Sequence, residues 1–441
     1  MAGRLKPALT TESYVLQAPG PSVPKAASPG VLNPAQRAEY DVPHIRIGDE
    51  MNRKALLVTF GGCVAWLLAT APASAQVPPD IAAGLKKIGQ VVDPACTAKL
   101  YRPLMPKNDY NTYWPANAAA PSFKGQLYPG ITVTRDQSFG PHPKDVLDIF
   151  VADAGGDERP VLIFVPGGGG NKIEQQVRES NAFYDNIGRW ATKNGMVAAV
   201  VQRHPGSSWD DGGRDLARAV DWLKENVSKY KGDPNRMVIW AHSAGNGPLG
   251  VYIGHPERWT NGVQVKGAIF MSGNPVPGIV PAQGGGAAPG APGSRSGVAC
   301  GLQEGQAAGP AATGGAIAGP SSVLAAVAAP AAAPAVGRGQ ALAADQQAER
   351  DNLPGFKKTP VKVMLARAEL DPGVSGDMLP ADKALHDAMC AVDGANAKDG
   401  EGHCPSMLFL KAESHMSEVF SFDTGDRIVS GPILAWIKRV K

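Results

Sequence analysis

The stretch that most constrains this chain is residues 236–245, RMVIWAHSAG, in which an apolar run ends in small residues around one serine. This pattern favours a sharp strand-to-helix turn, because the crowded and strained backbone of such a turn has no room for larger side chains. On that turn the Oγ of Ser243 stands above the sheet as a nucleophile. Ala241 replaces the first glycine of the usual Gly-x-Ser-x-Gly pattern. An ordinary helix-capping serine is the alternative interpretation.

Apolar runs alternate with helix-like segments on both sides of this stretch. Residues 161–165 and 196–201 are continuously apolar, which is typical of strands buried on both faces of a parallel sheet. From Leu216 to Tyr230, apolar residues recur at spacings of three and four, which predicts an amphipathic helix. This order favours an α/β domain with a mostly parallel sheet. We expect further strands at residues 131–134, 146–151, 265–271, 361–366 and 407–410, and further helices at residues 243–254, 379–390 and 428–440.

Residues 51–75 have the three parts of a secretory signal peptide: a positive start, a mostly apolar middle and the small-residue cleavage site ASA. The apolar part is shorter than the ~20 residues that a membrane-spanning helix needs, so no stable membrane anchor is expected after cleavage. The mature chain is then expected to begin at Gln76, in the periplasm or outside the cell. Residues 1–50 lack periodicity and are predicted to be disordered, or an upstream segment that is not translated.

The expected catalytic domain, residues 76–441, contains two stretches without clear periodicity. Residues 76–138 are predicted to form an irregular entry segment. Further along, 40 of the 60 residues from 281 to 340 are Gly, Ala or Pro. Such a composition has little to bury and many helix breakers, so residues 281–350 are predicted to be a disordered insertion.

The cysteines become informative if the chain is exported. Removal of residues 51–75 leaves Cys96, Cys300, Cys390 and Cys404 in a compartment that permits disulfides. Four cysteines allow three connectivities. A bond between Cys390 and Cys404 is expected, because a polar loop joins them and closing a loop of that size contributes ~3 kcal/mol. Free buried thiols are the alternative for Cys96 and Cys300.

Charge and histidine spacing argue against several classes of partner. The net charge is +3, and no basic block with interleaved aromatic residues occurs, so no nucleic acid is expected to bind. The eight histidines show no metal-ligand spacing such as H-E-x-x-H, so we expect neither a metal nor a cofactor. The loop PGGGG at residues 166–170 can turn backbone N–H groups toward an anion, but it lacks the Lys-Ser/Thr of a phosphate-binding loop.

Ser243, Asp371 and His415 each follow a predicted strand. In a parallel sheet these strand ends lie along one edge, where ligands bind. A serine nucleophile needs an imidazole within hydrogen-bond reach, and a carboxylate that fixes the imidazole tautomer. The sequence therefore predicts a Ser-His-Asp triad. The competing residues are Glu369 and Asp377 for the acid, and His204 and His403 for the histidine.

At these motifs the chain resembles the α/β-hydrolase fold, and within it the bacterial esterase/lipase group related to hormone-sensitive lipase, carboxylesterases and arylformamidases. The resemblance covers roughly residues 120–275 and 360–440 and rests on LDIF at 147–150, PGGGG at 166–170, GDPNR at 232–236, HSAG at 242–245, ELDP at 369–372 and SH at 414–415. The glycine loop of that group usually begins with His, and Pro166 stands there in this chain. By matching motifs, Gly168, Gly169 and Ala244 would donate their N–H groups to an oxyanion. The insertion falls where hydrolases of this architecture often carry a lid, but its lack of apolar bulk favours a passive segment.

The resemblance implies an exported serine hydrolase that cleaves small-molecule carboxylic esters through an acyl-enzyme, without a cofactor. In this reading Ser243 attacks the acyl carbon, His415 transfers the proton and Asp371 orients His415. An amide-cleaving relative, either arylformamidase-like or peptidase-like, is the alternative within enzymes. Pro166 and Ala241 also leave open an inactive hydrolase-fold binding protein.

Overall fold

A computed structural model of the chain describes residues 77–105, 128–168, 170–172, 182–204, 208–276, 279, 300–301 and 351–440. The predicted upstream segment 1–50, the predicted signal peptide 51–75 and nearly all of the insertion 281–350 lie outside the described residues, and so does Gly169.

An eight-stranded sheet organises the described residues, in the order β1-β2-β4-β3-β5-β6-β7-β8. Its strands are β1 (Ile131–Ser138), β2 (Val146–Ala152), β3 (Arg159–Val165), β4 (Val197–Val201), β5 (Gly232–His242), β6 (Gly267–Met271), β7 (Lys362–Leu370) and β8 (Ser406–Ser414). The β1–β2 and β2–β4 pairs are antiparallel, and all other neighbours are parallel. The mostly parallel sheet predicted from the apolar runs is confirmed, and the fold is that of an α/β hydrolase.

Helices cover both faces of this sheet, as predicted. They are α1 (Pro79–Ile88), α2 (Pro94–Tyr101), α3 (Ala182–Lys193), α4 (Trp209–Asn226), α5 (Asn246–Gly254), α6 (Leu353–Phe356), α7 (Pro380–Cys390), α8 (Ser417–Phe420) and α9 (Ser430–Arg439). Alternate residues of each central strand enter separate cores: Leu162 and Phe164 pack with α1, α3 and α9, whereas Ile163 packs with α4 and α5. Burial on both faces explains why these strands are continuously apolar.

The prediction of an irregular segment over residues 76–138 is wrong, because α1 and α2 lie within it, and β1, predicted at residues 131–134, extends to its end at Ser138. Helix α1 buries Ile81 and Leu85, one turn apart, and begins with a proline. In α2 the carboxylate of Asp93 accepts the N–H of Cys96 at 3.0 Å and caps the helix. Both helices are too short to show a sustained period in the sequence. Helix α3, which precedes β4, was not predicted either.

The strands that carry the candidate triad are longer than predicted. β5 begins at Gly232, four residues before the stretch 236–245 in which its apolar run was recognised. β7 and β8 run on to Leu370 and Ser414, beyond the predicted ends at residues 366 and 410. As a result, Ser243, Asp371 and His415 each directly follow the last residue of a strand.

Two disulfides close loops of very different length. The predicted Cys390–Cys404 bond is confirmed, with a sequence separation of 14. Cys96 is bonded to Cys300 across 204 residues, so the free-thiol alternative for that pair is wrong. Among the described residues, every helix falls short of the length or apolar character needed to cross a membrane.

Candidate active site

The turn at Ser243 is sharp and crowded. Ser243 has a φ of 53°, in the left-handed region that residues other than glycine rarely adopt. A Cβ on Gly245 would lie 2.8 Å from the carbonyl oxygen of Val165, and one on Gly167 would lie 2.7 Å from the Cβ of Ser243. The small residues in the sequence are therefore required by the close approach of β3 and the glycine loop. Ala241 fits because its methyl group is fully buried in the core beneath the turn.

The structure brings Ser243, Asp371 and His415 together. The Nε2 atom of His415 lies 2.8 Å from the Oγ of Ser243. The Nδ1 atom of the same ring lies 2.6 Å from Oδ1 of Asp371. Asp371 and His415 are buried, whereas Ser243 is partly exposed. This is the geometry in which an imidazole can take the proton of a serine while a carboxylate stabilises the imidazolium.

The competing residues have other partners. The carboxylate of Glu369 accepts the N–H of Ala412 at 2.7 Å, and Asp377 pairs with Lys383 at 2.6 Å. His204 contacts Asp145 and Asp215, and His403 contacts Asp393. None of these contacts includes Ser243.

Arg367 holds the second carboxylate oxygen of Asp371. Its Nη1 donates to Asp371 Oδ2 at 2.6 Å, and its Nε and Nη2 each donate to one carboxylate oxygen of Asp382 on α7. Burial opposes ionisation of Asp371, but the charges and hydrogen bonds of His415 and Arg367 outweigh it and lower the pKa of Asp371 to about 2. The carboxylate is therefore ionised at neutral pH and fixed in one rotamer.

Arg203, just after β4, holds the glycine loop. Its guanidinium donates to the carbonyl oxygens of Pro166 at 2.7 Å, Gly167 at 3.2 Å and Gly168 at 3.1 Å. The N–H of Gly170 donates to the carbonyl of Gly167 at 2.8 Å and closes the turn. Because Arg203 binds the carbonyls of residues 166–168, these carbonyl groups have one fixed orientation.

The predicted oxyanion donors lie on two elements. Ala244 is exposed in the first turn after Ser243, where N–H groups have no acceptor within the helix. Gly168 is exposed and has a φ of 47°, in contrast to its buried neighbour Gly167. Gly169 lies outside the described residues. Ala244 and Gly168 thus both meet solvent, and they are the chain neighbours of Ser243 and Gly167, which lie close together.

A neutral network lies behind the histidine. His242 donates from Nε2 to the backbone carbonyl of His415 at 2.8 Å, and burial together with His415 lowers the pKa of His242 to about 3. Burial and the charge of Asp371 raise the pKa of Glu418 well above its usual range, and Ser272 donates to Glu418 at 2.8 Å. His242 is therefore uncharged at neutral pH, whereas Asp371, with its pKa of about 2, is the anion in contact with His415.

Three aromatic residues at the starts of the helices that follow β3 and β4 have different positions. Phe183 and Tyr184 are buried in the core and pack on Phe420 and Phe164. Trp209 is half-buried, and its indole lies against Gly247 in the helix that follows Ser243. Within the described part of the chain, two side-chain groups have metal-ligand chemistry, and neither includes a triad residue: His386, Cys390 and Cys404, and His142, Asp145 and His204.

Sequence reasoning missed Arg203, Arg367 and Glu418. A signal existed for the two arginines, since each is a lone cation next to or within an apolar strand. Such a residue is seldom buried unless its charge is paired or hydrogen-bonded. Glu418, three residues after the histidine, carried no comparable signal.

Known proteins are similar to part of this chain. A family model described as BD-FAE matches residues 147–258. Secreted lipase 5 of Gibberella zeae is 28% identical over 130 residues, which cover 26% of this chain and 23% of that protein. Esterase LipC of Mycobacterium tuberculosis is 30% identical over 149 residues, which cover 33% of this chain and 36% of that protein. The chain thus spans between 23% and 36% of the length of these two relatives. Among solved structures, Thermogutta terrifontis esterase 2 phosphoramylated by tabun has a TM-score of 0.42 and 14% identity, and covers 70% of this chain and 93% of that chain.

Proposed function

Because the chain belongs to the α/β-hydrolase esterase/lipase family, we propose that it is an exported serine hydrolase that cleaves carboxylic esters of small molecules. The observation that carries the proposal is the unbroken hydrogen-bonded chain from Ser243 Oγ through the His415 ring to Asp371, with contacts of 2.8 Å and 2.6 Å. A serine that only caps a helix is not expected to be hydrogen-bonded to a histidine that is itself bonded to a carboxylate.

In the proposed reaction, Ser243 attacks the acyl carbon while Nε2 of His415 takes the hydroxyl proton. The imidazolium then gives this proton to the departing alcohol, which leaves an acyl-enzyme. Water, deprotonated by His415, releases the acid and restores Ser243. Asp371 keeps Nδ1 protonated and stabilises the imidazolium, a role supported by its lowered pKa of about 2.

The oxyanion of each tetrahedral intermediate would be bound by the N–H groups of Ala244, Gly168 and Gly169. Each donor of this kind typically stabilises the transition state by ~3 kcal/mol. Pro166 stands where the related enzymes usually have a histidine, but the donors are backbone groups, and Arg203 fixes the carbonyls of this loop. This support favours an active enzyme over an inactive binding protein.

Export is supported by the two disulfides and by the similarity to a secreted lipase. N-terminal sequencing of the protein recovered outside the cytoplasm tests it. A start at Gln76 would agree with removal of residues 51–75, and a mature chain that retains residues before Met51 would contradict it.

Matched panels of esters and amides, offered to the chain from Gln76, test the reaction. We expect short-chain esters to be hydrolysed faster than their amides, and a preference for the amides would favour the arylformamidase-like alternative. His415→Gln should abolish turnover, while His403→Gln, a matched control whose ring contacts Asp393, should retain it. Loss of activity in both variants would contradict the assignment of His415.

A further inference from the structure

A second chemical centre lies where α7 meets the loop that leads to β8. His386 and Cys390 are one turn apart on α7, and Cys404 reaches them from the loop. The Nε2 atom of His386 lies 3.4 Å from Sγ of Cys390 and 3.6 Å from Sγ of Cys404. The imidazole nitrogen therefore points at both sulfurs of the disulfide.

A carboxylate flanks each nitrogen of this ring. Nδ1 of His386 lies 3.1 Å from Oδ1 of Asp387, a contact that places a proton on Nδ1 and leaves Nε2 for another partner. Oδ1 of Asp399 lies 3.3 Å from Nε2 and accepts the N–H of Met407 at 3.1 Å. A histidine oriented by a carboxylate on its other nitrogen is typical of zinc sites.

The distances match those between ligands of one tetrahedral Zn²⁺. With ordinary Zn–N, Zn–S and Zn–O lengths, neighbouring ligand atoms lie about 3.6 Å apart for nitrogen and sulfur, and about 3.4 Å apart for nitrogen and oxygen. The separations around Nε2 of His386 are 3.4, 3.6 and 3.3 Å. The two sulfurs are closer than two ligands would be, because they are bonded to each other. His386, Cys390 and Cys404 form the compact group, and Asp399 would have to move toward the sulfurs to complete the set.

The loop between the cysteines has other restraints that would keep the sulfurs near His386 after reduction. The carboxylate of Asp393 accepts the N–H of His403 at 2.6 Å and that of Cys404 at 3.3 Å. Nζ of Lys362 donates to the carbonyl of Gly402 at 2.8 Å. These contacts join the loop to the end of α7 and to β7 without the disulfide.

We propose that the reduced form of this cluster is a Zn²⁺ site, with Cys390, Cys404 and His386 as ligands and Asp399 at the fourth position. A dithiol reductant supplies two electrons and two protons to the disulfide and itself becomes a disulfide. Zn²⁺ then displaces both thiol protons and binds the two thiolates and Nε2 of His386. The loop between Cys390 and Cys404 is thus closed either by the disulfide or by the metal, but not by both at once.

Cobalt titration of the chain from Gln76 tests this proposal, because Co²⁺ bound to thiolate gives a charge-transfer absorption that nitrogen and oxygen ligands do not. The reduced protein, kept free of oxygen, should bind one Co²⁺ with this absorption and lose it when Zn²⁺ is added. The oxidised protein should show none. His386→Ala should weaken Co²⁺ binding by roughly 100-fold, and Cys404→Ser should remove most of the absorption.

Two controls separate this site from other ligands. The double variant Cys96→Ser, Cys300→Ser removes the other thiols and should keep the full absorption. His403→Ala, which loses a ring that contacts Asp393 and not the sulfurs, should bind Co²⁺ as the unaltered chain does. The proposal is overturned if the reduced, folded chain shows no thiolate absorption, or if His386→Ala and His403→Ala have equal affinities.

Discussion

Two buried arginines support the candidate triad, and they do so in different ways. Arg203 donates to three backbone carbonyls of the glycine loop, and no carboxylate pairs with it among the described residues. Arg367 donates to two carboxylates, Asp371 and Asp382, and to one carbonyl. One arginine therefore fixes a backbone, and the other fixes a side chain of the candidate triad.

The pKa values of the two arginines differ accordingly. Burial lowers the pKa of Arg203 to about 10, so the group is still a cation at neutral pH, and its charge is not neutralised locally. Burial acts in the same direction on Arg367, but its two carboxylates outweigh it and raise the pKa. A positive charge near the glycine loop would stabilise the proposed oxyanion. The charge of Arg367 is neutralised by its carboxylates, so it would mainly set the geometry and strength of the Asp371–His415 contact.

The largest effect in this comparison is expected from Arg203→Met. Without the guanidinium the loop carbonyls lose their donors, and the N–H groups of the loop lose their orientation. We expect kcat/KM to fall by about 100- to 1000-fold, as for the loss of an oxyanion donor, with the pH dependence of the remaining activity unchanged. Steady-state kinetics across pH measures both.

Arg203→Lys is the matched control, since it keeps the charge but replaces the planar fork by one ammonium. It should fall between Arg203→Met and the unaltered enzyme. If Arg203→Met is folded and its kcat/KM stays within about threefold of that of the unaltered enzyme, Arg203 has no role in orienting the donors.

A smaller loss of rate with a shifted pH profile is expected when Arg367 is removed. Arg367→Met combined with Asp382→Asn removes the cation without leaving the second carboxylate buried and unpaired. Asp371 then interacts more strongly with the imidazolium, so the acid limb of kcat/KM should move to higher pH, with about a 10-fold lower rate at the optimum. A pH–rate profile of the free enzyme reports both values.

Arg367→Lys retains the positive charge, and its acid limb should stay where it is in the unaltered enzyme. If the acid limb of the active double variant is not shifted, Arg367 has only a structural role. The two arginines would then differ only in the groups that they hold in place, and not in their electrostatic effect on the site.

The smallest effect concerns stability rather than rate. Glu418 has a raised pKa in the folded chain, so its contribution to stability is full below its unfolded pKa of about 4.3 and is lost as the pH rises toward the folded value. Glu418→Gln cannot ionise and keeps an acceptor for Ser272. Above pH 4.3 the unfolding free energy of the unaltered chain should fall by about 1.4 kcal/mol per pH unit because of Glu418, and that of Glu418→Gln should not show this fall. Urea unfolding at several pH values measures this slope, and parallel slopes would contradict it.

The central strands were predictable, because burial on both faces leaves an apolar run that is visible in the sequence, but the ends of β7 and β8 were not. β3 and β4 are such strands, and the residues at the strand ends give the order Ser243, Asp371, His415. A local sequence pattern does not reveal contacts between residues that are far apart in the chain. Arg203 donates to Pro166 across 37 residues, and Arg367 donates to Asp382 across 15. The short helices α1 and α2 depend on caps and on packing against the finished sheet, which a periodic pattern does not encode.

The proposed activity depends most on Ser243 as the nucleophile. Treatment of the chain from Gln76 with a fluorophosphonate, followed by peptide mass spectrometry, tests this directly beside a Ser243→Ala variant. We predict one adduct on Ser243, its absence in the variant, and loss of ester hydrolysis in step with labelling. A folded protein that hydrolyses esters without an adduct on Ser243, or that takes up no label and turns over no ester, would contradict the account.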